Sequence, residues 1–116
     1  MEALVIDDET DIGLLVCRFL KREEIGCHQA TTIAEATAQL NNSAFDIFFL
    51  DINLPDGNGL NLLPLIKRSC PHCKVFVISA YQHDDEKKKA FELGADQFMS
   101  KPFSKKQILS LLSSED

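Results

Sequence analysis

Short apolar runs alternate along the chain with longer stretches whose apolar residues recur every three or four positions. The first run, Ala3-Leu4-Val5-Ile6, ends in the acids Asp7-Asp8. Ile12, Leu15, Val16, Phe19 and Leu20 then follow at helical spacing and predict one apolar stripe. Gly26-Cys27-His28-Gln29-Ala30 reads as a weak second strand. Thr32-Ile33-Ala34-Glu35 has the pattern of a capping box, and Ile33, Ala36, Thr37 and Leu40 continue a helical face. Asp46-Ile47-Phe48-Phe49-Leu50 is a third strand, apolar after its first residue, as burial on both faces requires. A helix is predicted from about Leu60 to Lys67, a strand over Lys74-Val75-Phe76-Val77-Ile78, and a helix from about Asp85 to Leu93 closed by Gly94. Gln97-Phe98-Met99 is a short fifth strand. Ser104-Lys105-Lys106-Gln107 is a second capping box, which opens a last helix carrying Ile108, Leu111 and Leu112.

Five strands alternating with five helices predict an α/β fold: a doubly wound parallel sheet with helices on both faces, joined by right-handed crossovers. Ligands bind such sheets beyond the carboxyl ends of the strands. The residues predicted there are Asp7 and Asp8, Asp51, Ser79 and Ala80, and Lys101 and Pro102. One position resists the pattern. Pro64 falls inside the predicted third helix, where an interior proline costs roughly 3 kcal/mol and kinks the chain.

The chain has 116 residues, which suits one domain spanning 1–116. A net charge of −6 argues against direct binding of nucleic acid, whose phosphates call for a basic face. No apolar run approaches the roughly 20 residues that span a bilayer. The first eight residues lack a basic n-region and end in two acids, so no signal peptide is predicted and a cytoplasmic location is expected. The four cysteines are then expected as reduced thiols. Cys70-Pro71-His72-Cys73 has the spacing of a redox or metal motif. It follows a predicted helix, however, and so lacks the helix N-terminus that would lower a thiol pKa. A metal would need two further ligands, and Cys27 and His28 are expected on the far side of the sheet.

The strand-end residues carry their own chemistry. Asp7, Asp8 and Asp51 cannot all ionise close together without a counter-charge. A hard divalent cation answers that need, and Mg2+ is usual in phosphate chemistry. Asp8 suits direct ligation, with Asp7 acting directly or through water. Asp51 is expected to help hold the metal with one oxygen and to attack phosphorus with the other. Lys101 supplies a mobile positive charge for Asp51 at rest and for phosphoryl oxygens afterwards. Ser79 can donate a hydrogen bond to one of those oxygens.

Four segments also resemble, in order and over essentially the full length, the receiver domains of bacterial response regulators, of the chemotaxis-regulator type. They are Val5-Ile6-Asp7-Asp8-Glu9, Leu50 to Gly59, Ile78-Ser79-Ala80 and Ala90 to Phe103. The resemblance implies the flavodoxin-like strand order 2-1-3-4-5 and an acyl phosphate on Asp51. It implies Mg2+ on Asp7, Asp8, Asp51 and the backbone carbonyl of Asn53, phosphoryl sensing by Ser79 and Lys101, and a cis peptide before Pro102. It further implies an aromatic switch at Phe98, where tyrosine is frequent. The output face would be formed by the fourth helix, fifth strand and fifth helix. Asn53 and Tyr81 would flank the phosphoryl group and tune its hydrolysis. The partners implied are a sensor histidine kinase or histidine phosphotransfer protein as donor, and a downstream protein target or an effector domain not included in this chain. The expected function is a phosphorylation-activated switch of a two-component phosphorelay that catalyses its own phosphorylation and is no conventional enzyme. A haloacid-dehalogenase-type phosphatase would want Asp-x-Asp after the first strand, where this chain has Asp7-Asp8-Glu9. A pseudo-receiver would not need the intact acids, Ser79 and Lys101.

Overall fold

The computed structural model describes residues 1–80, 84–101 and 104–113. Tyr81 and the peptide before Pro102 lie outside them. Five parallel strands form the sheet: β1 (Glu2–Ile6), β2 (Gly26–Ala30), β3 (Ile47–Asp51), β6 (Lys74–Ser79) and β7 (Gln97–Ser100). Two short strands, β4 (Asn53–Leu54) and β5 (Gly57–Asn58), make a separate antiparallel hairpin after β3. The sheet runs β2-β1-β3-β6-β7, the expected order 2-1-3-4-5 once the hairpin is set aside. The helices are α1 (Thr10–Arg22), α2 (Ile33–Asn42), α3 (Leu63–Ser69), α4 (Asp84–Glu92) and α5 (Lys105–Ser113).

The strand periodicity of two sorts the core into layers. Ala3, Val5, Ile47, Phe49, Phe76 and Ile78 face Val16 and Leu20 of α1 and Ile108 of α5. Leu4, Ile6, Phe48, Leu50, Val75 and Val77 face Ala36 of α2, Leu63 and Ile66 of α3 and Ala90 of α4. Both sides of β3 are therefore covered, which is why its sequence reads as an unbroken apolar run until Asp51.

The local signals act largely as read. Thr32 Oγ1 accepts from the Glu35 amide at 3.0 Å, while the Glu35 carboxylate reaches the amide and hydroxyl of Thr31 instead of closing the box on Thr32. Ser104 and Gln107 cap each other reciprocally. Gly94 ends α4 at φ 111°, with the Ala95 amide bonded to the Ala90 carbonyl. Glu24 fills the matching left-handed position after α1 at φ 61°, where no glycine signalled the stop.

Two expectations are corrected. The segment predicted as one helix from Leu60 is a 3-10 turn over Gly59–Leu62 followed by α3, so Pro64 sits in the first turn of α3. Its missing N–H is one that no helix start bonds internally, so the interior penalty does not arise. The cysteines expected as thiols are paired as disulfides, Cys17–Cys27 and Cys70–Cys73. Packing of α1 on β2 brings Cys17 to Cys27 with 5.3 Å between their Cα atoms, and the turn between α3 and β6 brings Cys70 to Cys73 with 5.5 Å between theirs. No helix among the described residues is long and apolar enough to cross a membrane.

Candidate functional site

Three strand ends meet at the carboxyl edge of the sheet. Asp7 directly follows β1, Asp51 is the last residue of β3, and Lys101 directly follows β7. Asp7 and Asp51 are each only 3% exposed, whereas Asp8 faces solvent. A carboxylate oxygen from each of Asp7, Asp8 and Asp51 lies within 4.8 Å of the others. Lys101 Nζ reaches into this group. It lies 2.8 Å from Asp7 Oδ2, 3.2 Å from Asp51 Oδ2 and 2.9 Å from Glu9 Oε1. The Asp7 contact is an ion pair, and no hydrogen bond reaches the buried Asp7 Oδ2. The other Asp7 oxygen accepts from the Glu9 amide at 2.9 Å.

Charge is therefore concentrated where Asp7, Asp51 and Lys101 are largely withdrawn from solvent. Burial is the main cause that pushes the Asp51 carboxyl up to about 6, and the neighbouring Asp7 charge adds to it. The Lys101 charge and hydrogen bond, and the Asn53 amide, pull the other way. Burial works against the Lys101 ammonium. The close contact with Asp7, the hydrogen bond to Glu9 and the charges of Asp7 and Asp51 outweigh it and raise its pKa above the ordinary lysine value. A site with this excess of acid over base suits a divalent cation. All its donors are hard oxygens, and one of them is buried without a hydrogen-bond donor.

The remaining predicted residues fall in different places. Ser79, fully buried, ends β6, and its carbonyl accepts from the Lys101 amide at 2.8 Å. Asn53 is exposed on β4, with its amide 3.4 Å from Asp51 Oδ1. Phe98 is not at the edge. It pairs with Val77 two residues before Ser79, half-buried against the core that α2, α3 and α4 cover. Tyr81 lies outside the described residues. Cys70 and Cys73 precede β6 at the opposite edge of the sheet. Their disulfide leaves neither sulfur as a thiolate ligand, and Asp7, Asp8 and Asp51 are the one group of potential metal ligands among the described residues.

Two contacts escaped the sequence reading, one inside the site and one beyond it. Glu9 was legible only as the third acid of Asp-Asp-Glu, yet it shares Lys101. Asp56 carried no signal beyond a turn preference, yet its carboxylate accepts from the Ile33 and Ala34 amides at 2.8 and 3.0 Å.

Comparison with known proteins accounts for this arrangement. Residues 3–113 match the model of the response regulator receiver domain family. The response regulator protein PilR of Pseudomonas aeruginosa is 34% identical over 112 residues, covering 97% of this chain and 25% of PilR. The chain spans about a quarter to a half of the length of the curated relatives it matches. A response regulator from Burkholderia pseudomallei, solved with a phosphorylated aspartic acid, a calcium ion and citrate, superimposes with a TM-score of 0.90 at 26% identity, covering 97% of this chain and 66% of that one. The beryllofluoride-activated NtrC4 receiver domain superimposes with a TM-score of 0.91 at 32% identity, covering 98% and 94%. The fold and the acid cluster are those of a phosphorylation-based switch, with a cluster able to chelate a divalent metal, and the chain belongs to the response regulator receiver domain family.

Proposed function

We propose that Asp51 is the phosphoryl acceptor, that the cation is Mg2+, and that residues 1–116 work as one receiver domain of a phosphorelay. The observation that carries the assignment is the burial of Asp51 at the end of β3, within 4.8 Å of the Asp7 and Asp8 carboxylates and against Lys101. Asp7, Asp8, Asp51 and the Asn53 carbonyl would hold Mg2+. When bound it neutralises carboxylate and phosphoryl oxygens. The donor is a phosphohistidine of a sensor histidine kinase or histidine phosphotransfer protein. An Asp51 oxygen bonds to phosphorus while the P–N bond to the donor imidazole breaks, and the nitrogen keeps that electron pair. Lys101 follows the growing negative charge, and Ser79 donates its hydroxyl proton in a hydrogen bond to a phosphoryl oxygen. The movement of Ser79 and Phe98 changes the face of α4, β7 and α5 for a downstream protein or an attached effector domain. Asn53 and Tyr81 tune hydrolysis.

The test is mass spectrometry after incubation with acetyl phosphate and Mg2+. One phosphoryl group is expected on the wild type and none on Asp51→Asn. Labelling that survives in the variant refutes the assignment.

A further inference from the structure

The hairpin β4–β5 carries Asn53, two residues beyond Asp51, yet packing does little to hold it. Of its residues 53–58 only Leu54 is buried. Polar ties fix it instead. Near its base the Gly59 amide donates to the Ile52 carbonyl at 2.6 Å, and Asn58 Oδ1 accepts from the Leu60 amide at 2.9 Å. At its tip the tie is Asp56. The Asp56 Oδ1 and Oδ2 atoms accept from the first two amides of α2, Ile33 and Ala34. The tip also lies close to α2 at Gly57, where a Cβ, at φ 151°, would sit 3.0 Å from Ile33 Cδ1. The Ile33 amide in the first place, and the Ala34 amide, hold the Asp56 carboxyl below the ordinary aspartate value, with slight burial opposing them.

The start of α2 thus has two caps with different reach. Thr32 takes the Glu35 amide through its side chain and the Ala36 amide through its carbonyl, all within the helix's own strand of chain. Asp56 takes the other two amides from a segment 22 and 23 residues away. A helix needing only a cap would be served by neighbours in sequence. The long-range partner does something more: it fastens the loop after β3 to a helix that is itself packed on the sheet through Ala36.

We infer that Asp56 is a positioning residue of the cation site, clamping the β4–β5 hairpin to the N-terminus of α2 and so fixing the Asn53 carbonyl where a divalent cation needs it. The inference rests on the metal reading proposed above, in which that carbonyl is a ligand. Outer supports of this kind set metal affinity by limiting the motion of a ligand they do not replace.

The experiment is a calorimetric Mg2+ titration of the full chain as wild type, Asp56→Ala, Asp56→Asn and Thr32→Ala, with 15N amide spectra to verify folding and follow Asn53. Loss of the clamp in Asp56→Ala is expected to weaken Mg2+ binding roughly tenfold and to shift the Asn53 amide. Asp56→Asn, which keeps one acceptor, is expected to fall between. Thr32→Ala weakens the same helix end without touching the hairpin and is expected to leave the Kd unchanged. If Asp56→Ala does not fold, the contrast of Asp56→Asn with Thr32→Ala decides. A wild type that binds Mg2+ with Asp56 variants that bind equally well, or no worse than Thr32→Ala, overturns the inference alone. A wild type that binds no Mg2+ overturns the metal reading and the inference with it.

Discussion

Replacing the proposed acceptor, Asp51→Asn, is expected to make the metal-free protein more stable. Burial and the Asp7 charge raise the Asp51 carboxyl from 3.8 to about 6, despite Lys101. The sign follows from linkage. Below pH 3.8 the group is protonated folded or unfolded, so it contributes no difference. Between 3.8 and about 6 the unfolded chain releases the proton that the folded chain still holds, and stability falls as pH rises. Above about pH 6 the full penalty is present, roughly 3 kcal/mol for a shift of this size. Asparagine carries no charge and removes it. Lys101 loses one carboxylate but keeps Asp7 at 2.8 Å and Glu9 at 2.9 Å. Allowing about 1–2 kcal/mol for the weakened hydrogen bond leaves a net gain of about 1–2 kcal/mol. For a domain of this length that is a rise of roughly 4–8 °C in Tm. The assay is thermal unfolding followed by circular dichroism in EDTA, near neutral pH and again near the unfolded aspartate pKa. The variant should melt higher near neutral pH and lose its advantage in acid. Mg2+ should narrow the gap by stabilising the wild type more. Equal or lower Tm for the variant near neutral pH, or an advantage that does not change with pH, refutes the reasoning.

Gly59→Ala is expected to lose about 2–3 kcal/mol, because the new Cβ would overlap the backbone carbonyl of Asp51 and push the end of β3; a melt indistinguishable from wild type would show that the loop relaxes freely. The pairing of Cys17 with Cys27 closes a loop of sequence separation 10, so breaking it by Cys17→Ser should cost about 3 kcal/mol. Denatured without reductant, the wild type should resist labelling by maleimide at all four cysteines, and labelled thiols would contradict the two disulfides.

What was legible in the sequence follows from the range over which each signal acts. The strand runs are set by burial on both faces, so Ile47 to Leu50 announced β3 and left Asp51 as its conspicuous end. The two capping residues Thr32 and Ser104 act within three positions and read correctly. Pro64 misled because helical spacing does not separate a 3-10 turn from the α-helix it leads into, and only the boundary decides whether a proline is interior or initial. The Cys17–Cys27 pair depends on how α1 lies over β2, which no spacing rule contains. Asp56 was invisible for the same reason: its partners are on another helix, and a turn aspartate looks alike whether it faces water or holds two amides. Asp7 and Asp8 were readable as a pair with different ligand roles, but not as one buried and one exposed residue. One continues β1 into the interior, where it meets Lys101 arriving from β7, and the other turns out to solvent.

That arrival also bears on how the proposed switch is coupled. Ser79 and Lys101, the residues proposed to read the phosphoryl group, sit at neighbouring strand ends. They are joined by the hydrogen bond from the Lys101 amide to the Ser79 carbonyl. Ser79 pairs in register with Ser100, the residue before Lys101, so neither can move far without the other. Phe98 lies two residues before Ser100 on β7 and faces the core under α4. In the proposed switch, a pull on Ser79 would reach Phe98 along β7, where the ring is half-buried while Met99 and Val77 are buried in the core. The rest-state partners of Lys101 set the size of the pull. Asp7 and Glu9 hold the ammonium as closely as Asp51 does, so a phosphoryl group on Asp51 must outcompete two carboxylates as well as gather the serine. On the proposed reading, a divalent cation satisfying Asp7 would remove part of that competition and so tie the metal to the switch as well as to the transfer.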